Sequence, residues 1–277
     1  MSAAVAGKGF AMSVKVSVII PAWGQTPFLQ RAINSVKMQT YSEIELIVAA
    51  PPPSDFQTQS VARRAGIVRA TGEWIAFCDA DDWIEPDAIA EMVKAAERED
   101  ADCVCCGMIR DWQDGVSVFR PFDEIGPSDT YNAVVNKLFR RNLLENLKVD
   151  ETVSLGEDLM VSAQALARAR RIAILKRGFY HYCENLTSTT HICNGRKRVE
   201  NLARVDEILR EALPGTEFAD FHDRVTRDAL LLWIRYRLFD KALWRRLRSR
   251  MTGGISKDPR HGFFKKGALI LASCLFD

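Results

Sequence analysis

Short apolar runs alternate with segments of helical periodicity along the first part of the chain. Four runs rich in β-branched and apolar residues predict buried strands; they cover 15–20, 45–49, 74–78 and 103–108. Three segments with apolar residues every three or four positions predict helices; they cover 28–38, 58–70 and 86–96. Because strand and helix alternate, this part of the chain predicts an α/β fold with a mostly parallel, Rossmann-like sheet flanked by helices.

The later part of the chain has a different pattern. Residues 109–153 are less regular, with a hairpin predicted around 113–115, and a helix at 157–169 precedes a strand at 172–175. From Arg196 onward the pattern is mostly helical. We therefore predict three regions, a flexible N-terminus, an α/β domain and a basic helical extension; they cover 1–13, 14–195 and 196–277.

Charge is concentrated in the C-terminal extension. The whole chain of 277 residues carries a net charge of only +2, but Arg235 to Lys266 contain eleven Lys or Arg and two acids. A helix that mixes Trp, Phe, Leu and Arg suits an anionic membrane surface, and it equally suits packing on the domain with its arginines in water. No nucleic-acid-binding motif accompanies the charge, so no nucleic-acid partner is predicted.

Composition and cysteine usage indicate a globular cytoplasmic protein. Hydrophobic residues make up 47% and charged residues 27% of the chain. Residues 1–13 do not resemble a secretory signal, and no run of about 20 apolar residues predicts a spanning helix. Cys103, Cys105 and Cys106 lie too close together to cross-link a fold, and the histidine spacing does not suit zinc. We expect reduced cysteines in or beside a strand.

Three aspartates follow the third predicted strand in the segment 77–83. Asp79 and Asp81, two positions apart on a turn, can direct oxygen ligands toward one Mg²⁺ or Mn²⁺ ion, which would neutralise a diphosphate leaving group. An Asp-x-Asp turn by itself is more often a solvated loop. The rest of the chain decides between these two interpretations.

Several ordered motifs between residues 14 and 190 resemble glycosyltransferase family 2. The stretch 63–87 resembles the family's Ala-Arg-Asn-x-Gly, Ala-x-Gly-Glu and Asp-x-Asp-Asp series, and 16–23, 39–41 and 136–141 match its other segments. The resemblance implies a GT-A fold and an inverting transfer from a nucleoside-diphosphate sugar, assisted by Mn²⁺ or Mg²⁺. It also implies a hydroxyl acceptor on a surface-glycan precursor.

The resemblance assigns donor-site roles to six residues. Asp79 would contact the sugar nucleotide, Asp81 would bind the metal with Asp79 as second ligand, and Asp82 would shape the loop or touch the donor sugar. Arg63 would lie near the nucleotide or its phosphates, as a planar cation suits phosphate oxygens. The cofactor-binding set is completed by Pro21 and Ala22 at the end of the first strand.

Glu157 and Asp158 open a predicted helix. Carboxylates favour helix N-termini through the helix dipole and free N–H groups, so capping is one explanation. By the resemblance, Asp158 is instead the base that deprotonates the acceptor, and Glu157 holds Asp158 or contacts the acceptor. Of His181 and His191, which could reach the diphosphate, we expect structural roles.

One family motif is absent. Where relatives carry Asp-Asp-Gly-Ser after the second strand, this chain has Ala-Ala-Pro-Pro-Pro-Ser-Asp at 49–55. Asp55 could replace the base-reading aspartate from a shifted position, but three prolines favour a rearranged loop. The hypotheses are therefore a UDP-sugar transferase, a degenerate nucleotide- or glycan-binding scaffold at the membrane, and a membrane-associated assembly protein. We expect a cytoplasmic enzyme, peripheral at the inner face of the plasma membrane.

Overall fold

The computed structural model describes residues 14–22, 27–52, 58–112, 114–120, 133–185, 194–238 and 240–251. Within these ranges the strands form one mixed sheet of eight strands. The strands are β1 (Val16–Pro21), β2 (Ile44–Ala49), β3 (Trp74–Phe77), β4 (Trp83–Ile84), β5 (Cys103–Asp111), β6 (Ser117–Arg120), β7 (Lys137–Arg140) and β8 (Ile172–Cys183).

Helices cover the sheet and continue into the C-terminal region. They are α1 (Leu29–Lys37), α2 (Gln59–Arg69), α3 (Ala88–Glu99), α4 (Glu157–Arg168), α5 (Gly195–Ala212), α6 (Ala219–Arg235) and α7 (Lys241–Arg248). Short 3₁₀ turns cover Arg141–Leu144 and Thr216–Phe218. The predicted α/β class is confirmed, and so is the helical character of the C-terminal region in its described part.

The strand order is β2-β1-β3-β7-β5-β8-β4, with β6 paired to β5. Strand β1 runs parallel to β2 and β3, and β5 runs parallel to β8. Strand β7 lies antiparallel between β3 and β5. Since the carboxyl ends of β1, β2 and β3 meet at one edge, polar residues that follow these strands share a region of the surface.

Helix α2 lies close to strand β1. A Cβ added at Gly66 would overlap Cγ2 of Ile19, so only glycine permits this approach of helix to sheet. Arg63 lies about one helical turn from Gly66 toward the N-terminus of α2. The close packing thereby holds Arg63 over the carboxyl ends of the strands.

The helices α5, α6 and α7 enclose a core of their own. Trp233 and Trp244 meet with ring centroids 4.9 Å apart, and Leu243 and Leu247 are buried in the same cluster. The apolar face of α7 therefore packs inside the protein while Arg245 and Arg246 are exposed, which supports the packed-helix interpretation for α7. In the described part of the chain, no helix combines the length and apolar character needed to cross a bilayer. Residues 252–277 lie outside that part.

The sequence missed some features of the sheet. Strands β4 and β7 have two and four residues, too short for a clear periodicity. The predicted strand at 172–175 extends to Cys183, and the predicted hairpin forms between β5 and β6, where Gly115 has φ 83°. Cys103, Cys105 and Cys106 are free and buried in β5, as expected.

Candidate active site

The three aspartates of the segment 77–83 form a turn directly after β3. The Asp82 N–H donates to the carbonyl of Asp79 at 3.1 Å, which folds the turn back at the carboxyl edge of the sheet. Asp79 and Asp81 are partly exposed and Asp82 is buried. Two of the three carboxylates are therefore open to a ligand.

Strand β8 anchors this turn. The Tyr180 hydroxyl accepts the Asp79 N–H at 3.1 Å and donates to Asp82 Oδ2 at 2.5 Å, and the Cys183 N–H donates to Asp82 Oδ1 at 2.8 Å. Burial, reinforced by Asp79 and Asp81, raises the pKa of Asp82 well above its usual value. With both carboxylate oxygens of Asp82 engaged, this geometry favours the loop-shaping role among the two expected for it.

Asp81 is held from one side. Asn185 Nδ2 donates to Asp81 Oδ2 at 2.9 Å, and the Arg31 guanidinium donates to the Asp81 carbonyl. Burial raises the pKa of Asp81, whereas the Asn185 bond acts in the opposite direction. The Asp81 carboxylate is thus oriented by a neutral donor, and a bound cation would stabilise its negative charge.

Arg63 joins the first acidic segment to the second. Its guanidinium is buried and lies 2.7 Å from Asp79 Oδ1 through Nη2, while Nη1 contacts Asp158 Oδ1 and lies 3.6 Å from Glu157 Oε1. Burial opposes the charge on Arg63, but Asp158, Asp79 and Glu157 together raise its pKa. One cation is therefore shared by the donor-side aspartate and both residues of the candidate base pair.

The Glu157–Asp158 pair opens α4. Gly156 precedes it with φ 92° and offers no side-chain cap, so the carboxylates lie at a bare helix N-terminus, where negative charge is favoured. Burial, with the neighbouring Asp158, raises the pKa of Glu157 to about 7. Burial also raises the pKa of Asp158, opposed by Arg63 and by a hydrogen bond from the Val134 N–H. Both the capping and the base interpretation are compatible with this geometry.

Pro21 and Ala22 lie at the same edge of the sheet. Both are buried, and the Ala22 N–H donates to the Ala49 carbonyl at 2.8 Å. Among the described residues, the polar network that links Asp79, Arg63 and Asp158 does not include them. The end of β2 carries Ala49 and Ala50, and Asp55 lies outside the described residues.

His181 makes none of the contacts of the Arg63 cluster, which consists of Arg63, Asp79, Glu157 and Asp158. Its ring is stacked on Trp83 with centroids 3.4 Å apart, and its two nitrogens lie 2.9 Å from Asp111 Oδ2 and 3.0 Å from Glu85 Oε1. It therefore ties β4, β5 and the turn at Glu85 together, in keeping with the structural role expected for it. His191 lies outside the described residues.

An open cavity adjoins Arg63 and Glu157. It has a volume of about 550 Å³ and lies between α2 and α4, with Arg63 and Glu157 in its wall beside apolar residues that include Ile67 and Val161. A space of this size can hold a small molecule. It gives the Arg63 cluster a solvent-connected side.

The candidate site suits a divalent cation that is bound partly by carboxylates of the protein and partly by oxygens of the substrate. Within the described ranges, no group of three or more His, Cys, Asp or Glu side chains converges on one point. Mg²⁺ binds through one or two carboxylates together with phosphate oxygens and water. The single carboxylate of Asp81 is therefore a sufficient protein ligand for such an ion. Asp79 is the weaker of the two candidate ligands because it is paired with Arg63.

The sequence did not identify Tyr180 or Asn185 as parts of the site. Tyr180 and Asn185 act on aspartates 101 and 104 positions away, and no local pattern reports such pairing. The available signal was the run of aromatic residues at 179–182, which is typical of a strand.

Comparisons with known proteins identify the type of fold and match part of the chain to a family. S. aureus TarS, solved in complex with UDP-GlcNAc, superposes with a TM-score of 0.60 at 14% identity, covering 95% of this chain and 80% of that one. At this identity the match establishes the fold alone, which is the GT-A type predicted. Residues 55–150 match the family model of glycosyl transferase family 2. In this part of the chain the match agrees with the family that its motifs resemble.

Curated relatives are bacterial proteins. An uncharacterized glycosyltransferase, EpsJ of Bacillus subtilis, is 28% identical over 64% of this chain and 63% of its own length. The succinoglycan biosynthesis protein ExoO of Rhizobium meliloti is 28% identical over 70% of this chain and 66% of its own length. The chain thus spans slightly less than two thirds of these relatives.

Proposed function

We propose that this protein transfers a sugar from a nucleoside-diphosphate sugar, linked to UDP, to a hydroxyl of a surface-glycan precursor with inversion of configuration. The observation that carries the proposal is the Arg63 cluster. A single buried guanidinium brings Asp79, from the donor-side turn, together with Asp158, the candidate base. In this reaction the donor and the acceptor must approach within a few ångströms of each other. Asp79 and Asp158 contact the same guanidinium, so the parts of the site proposed for donor and acceptor lie close together.

On the donor side, Asp81 would hold Mn²⁺ or Mg²⁺ and Asp79 would contact the ribose or the donor sugar. The metal, when bound, neutralises the charge that develops on the diphosphate leaving group. Arg63 Nε is buried and has no hydrogen-bond partner among the described residues. A buried donor of this kind suits a phosphate oxygen, so Arg63 is our candidate for direct contact with the diphosphate.

On the acceptor side, Asp158 removes the proton from the acceptor hydroxyl as its oxygen attacks the anomeric carbon. The bond between that carbon and the diphosphate oxygen breaks on the opposite face, and the nucleotide leaves with the electron pair. Asp158 is suited to this role because its side chain is about a quarter exposed, unlike the buried Glu157. Glu157, close to Arg63, helps to hold the pair in place.

The acceptor and the location are proposed on coarser grounds. ExoO is named for succinoglycan biosynthesis, and a related acceptor, lipid-linked or a free glycan, is our hypothesis for this chain. A cytoplasmic site at the inner face of the plasma membrane follows from that hypothesis. The exposed Arg245 and Arg246 on α7 would assist by attraction to anionic lipids.

Nucleotide calorimetry tests the donor half of the proposal. We expect UDP to bind more tightly than GDP and only in the presence of Mn²⁺, and we expect Asp81→Ala to abolish the metal-dependent part. The exposed Asp220→Ala serves as the control. If no nucleotide binds to the folded wild type, the proposal fails, and the scaffold hypothesis, favoured by the alanines at the end of β2, takes its place.

The acceptor half is tested by Asp158→Asn. We expect the turnover of UDP-sugar with lipid-linked acceptors to fall by about 10²–10⁴-fold, the usual contribution of a general base, while UDP binding is retained. Asp220→Asn should leave turnover unchanged. Equal turnover by wild type and Asp158→Asn would exclude Asp158 as the base.

A further inference from the structure

Strands β5 and β8 extend beyond the edge of the sheet at which β3 ends. Strand β7 lies between β3 and β5, and its pairing with both aligns Ala76 of β3 with Val104 of β5. Strand β3 ends at Phe77, directly after this level, whereas β5 continues to Asp111 with β8 parallel beside it. These two strands therefore form a wall beside the turn 79–82, and we call it the β5–β8 wall.

One face of the β5–β8 wall contacts the aspartate turn. The Tyr180 hydroxyl bonds Asp79 and Asp82 from this face. Side chains two positions apart in a strand point to the same face, so Tyr182 lies on it as well. Arg110 is the partner of Tyr182 in the parallel pairing, and Arg110 Cζ lies 5.8 Å from the centroid of the Tyr182 ring. Arg110 is therefore on the same face, one pair further along the wall than Tyr180.

The guanidinium of Arg110 is stacked on an aromatic ring but is not neutralised. Its Cζ lies 3.9 Å from the centroid of the Trp112 ring. In the part of the chain that the structure describes, Arg110 has no carboxylate partner, and its buried Nε has no hydrogen-bond acceptor. Stacking occupies the face of a guanidinium and leaves the N–H groups in its plane for an oxyanion. Trp112 thus orients a cation that is available to a ligand.

Arg177 on β8 shows the contrasting arrangement. It is also stacked on a ring two positions along its strand, with Cζ 4.5 Å from the centroid of the Phe179 ring. Its two Nη atoms bind the Asp87 carboxylate at 2.5 and 3.2 Å. The charge of Arg177 is therefore used within the protein. Arg110 has the ring and, among the described residues, no such carboxylate.

The position of Arg110 in the sheet favours the acceptor over the donor as its ligand. A nucleotide is expected at the carboxyl ends of β1, β2 and β3, where Arg63 is our candidate for contact with the diphosphate. Arg110 belongs to β5, which β7 separates from β3. Its side chain is only partly buried, so a second substrate can reach it.

We propose that Arg110, oriented by Trp112, is an acceptor-binding residue that holds an anionic group, phosphate or carboxylate, on the acceptor glycan. The guanidinium donates two parallel N–H groups to the oxyanion. The proposal rests on the sugar-transfer function proposed above, and it narrows the acceptor to acidic glycans.

The test follows the Nε–H resonance of Arg110 by NMR in the ¹⁵N-labelled full chain, assigned through its bonds to the backbone of Arg110. The probes are glucose 1-phosphate, glucuronate and, as the neutral reference, methyl glucoside. We expect at least one of the two acids to shift this resonance to saturation and methyl glucoside to leave it in place. The acid that acts distinguishes a phosphate from a carboxylate on the acceptor.

Variants separate this subsite from the donor site. Arg110→Gln should weaken calorimetric binding of that acid about tenfold or more, as expected for the loss of hydrogen bonds to a charged group, and leave Mn²⁺-dependent UDP binding unchanged. Arg110→Lys keeps the charge without the planar fork and should weaken binding of the acid less. Arg177→Gln is the matched control, because it removes a stacked arginine that is already paired, and it should not change binding of the acid.

Two results would overturn the proposal: a wild-type Arg110 resonance that neither acid moves, or an Arg110→Gln variant in which UDP affinity falls together with affinity for the acid. If the variants do not fold, the wild-type titration still decides. Because that titration needs neither turnover nor a nucleotide, a protein that binds no UDP would refute the sugar transfer and leave this test intact.

Discussion

The two acidic segments of the site are held in different ways. The Asp79–Asp82 turn is fixed by a tyrosine hydroxyl and a backbone N–H from strand β8 and by the amide of Asn185, which follows that strand. The Glu157–Asp158 pair is held largely by one guanidinium, that of Arg63. Neutral hydrogen bonds to a buried strand keep a fixed geometry, whereas an ion pair can be exchanged for a ligand of the same charge. The turn proposed for the donor is therefore rigid, whereas the segment proposed to hold the base can release Arg63 to an incoming diphosphate.

Arg63→Met should have the largest effect on stability, because it removes the guanidinium that holds the Glu157–Asp158 pair. Removing one partner of a buried ion pair costs about 3–5 kcal/mol, and three carboxylates lose their cation here. We expect the free energy of unfolding from urea titration to fall by this amount at neutral pH, and by less at acidic pH, where protonated carboxyls need no partner.

The neighbouring Arg64→Met is the matched control. Arg64 is 71% exposed and pairs with Glu151 at the surface, so its loss should cost at most about 1 kcal/mol. If both variants lose equal stability, the Arg63 cluster does not hold the two acidic segments together as described.

Glu157→Gln sharpens the comparison through its pH dependence. The pKa of Glu157 is about 7 in the folded protein against a usual 4.5, so the folded state retains a proton that the unfolded state releases. Stability is therefore lost as pH rises from about 4.5 to about 7, and the variant lacks this loss.

Relative to wild type, Glu157→Gln should gain on the order of 3 kcal/mol across that interval, since each pKa unit corresponds to about 1.4 kcal/mol. Urea titrations at both ends of the interval measure the gain. The exposed Glu211→Gln should show no such trend, and a constant difference for Glu157→Gln would mean that the glutamate titrates normally.

Tyr180→Phe tests the rigid side and should have the smallest effect. It removes the donor to Asp82 and the acceptor of the Asp79 N–H while keeping the ring. Leaving a buried carboxyl without this partner costs about 1–3 kcal/mol, which thermal unfolding would detect. Mn²⁺-dependent UDP binding should weaken more than kcat falls, because the variant loosens the donor turn and leaves Asp158 in place.

Tyr182→Phe, on the same strand, supplies the control for a lost hydroxyl. Its ring is half-buried, and it lies outside the bonds that hold the turn. If Tyr180→Phe lowers kcat and leaves nucleotide binding intact, then β8 acts on the base side and the contrast between the two segments is wrong.

The sequence predicted the elements whose signal is local. The strands at 74–78 and 103–108 and the helix at 157–169 show clear periodicity, and the family motifs point to Asp79 and Asp158 as candidate site residues. These motifs state which residue types belong to a site. They do not state which residues hold the side chains in place.

The features that the sequence missed depend on tertiary structure. Tyr180 meets Asp82 across 98 positions, and β7 exists because Lys137–Arg140 fits between β3 and β5. Lysine is usually exposed, whereas Lys137 is buried. Neither pairing across the sheet nor the burial of a charge leaves a pattern in neighbouring residues.

Gly66 constrains how this protein can evolve. Because any side chain at this position would overlap Ile19, a mutation there would lift α2 from the sheet and carry Arg63 away from Asp79 and Asp158. Selection for sugar transfer would then act on a residue that has no functional group. A larger residue at 66 becomes acceptable only together with a smaller one at 19, so the two positions form an epistatic pair whose members must change together.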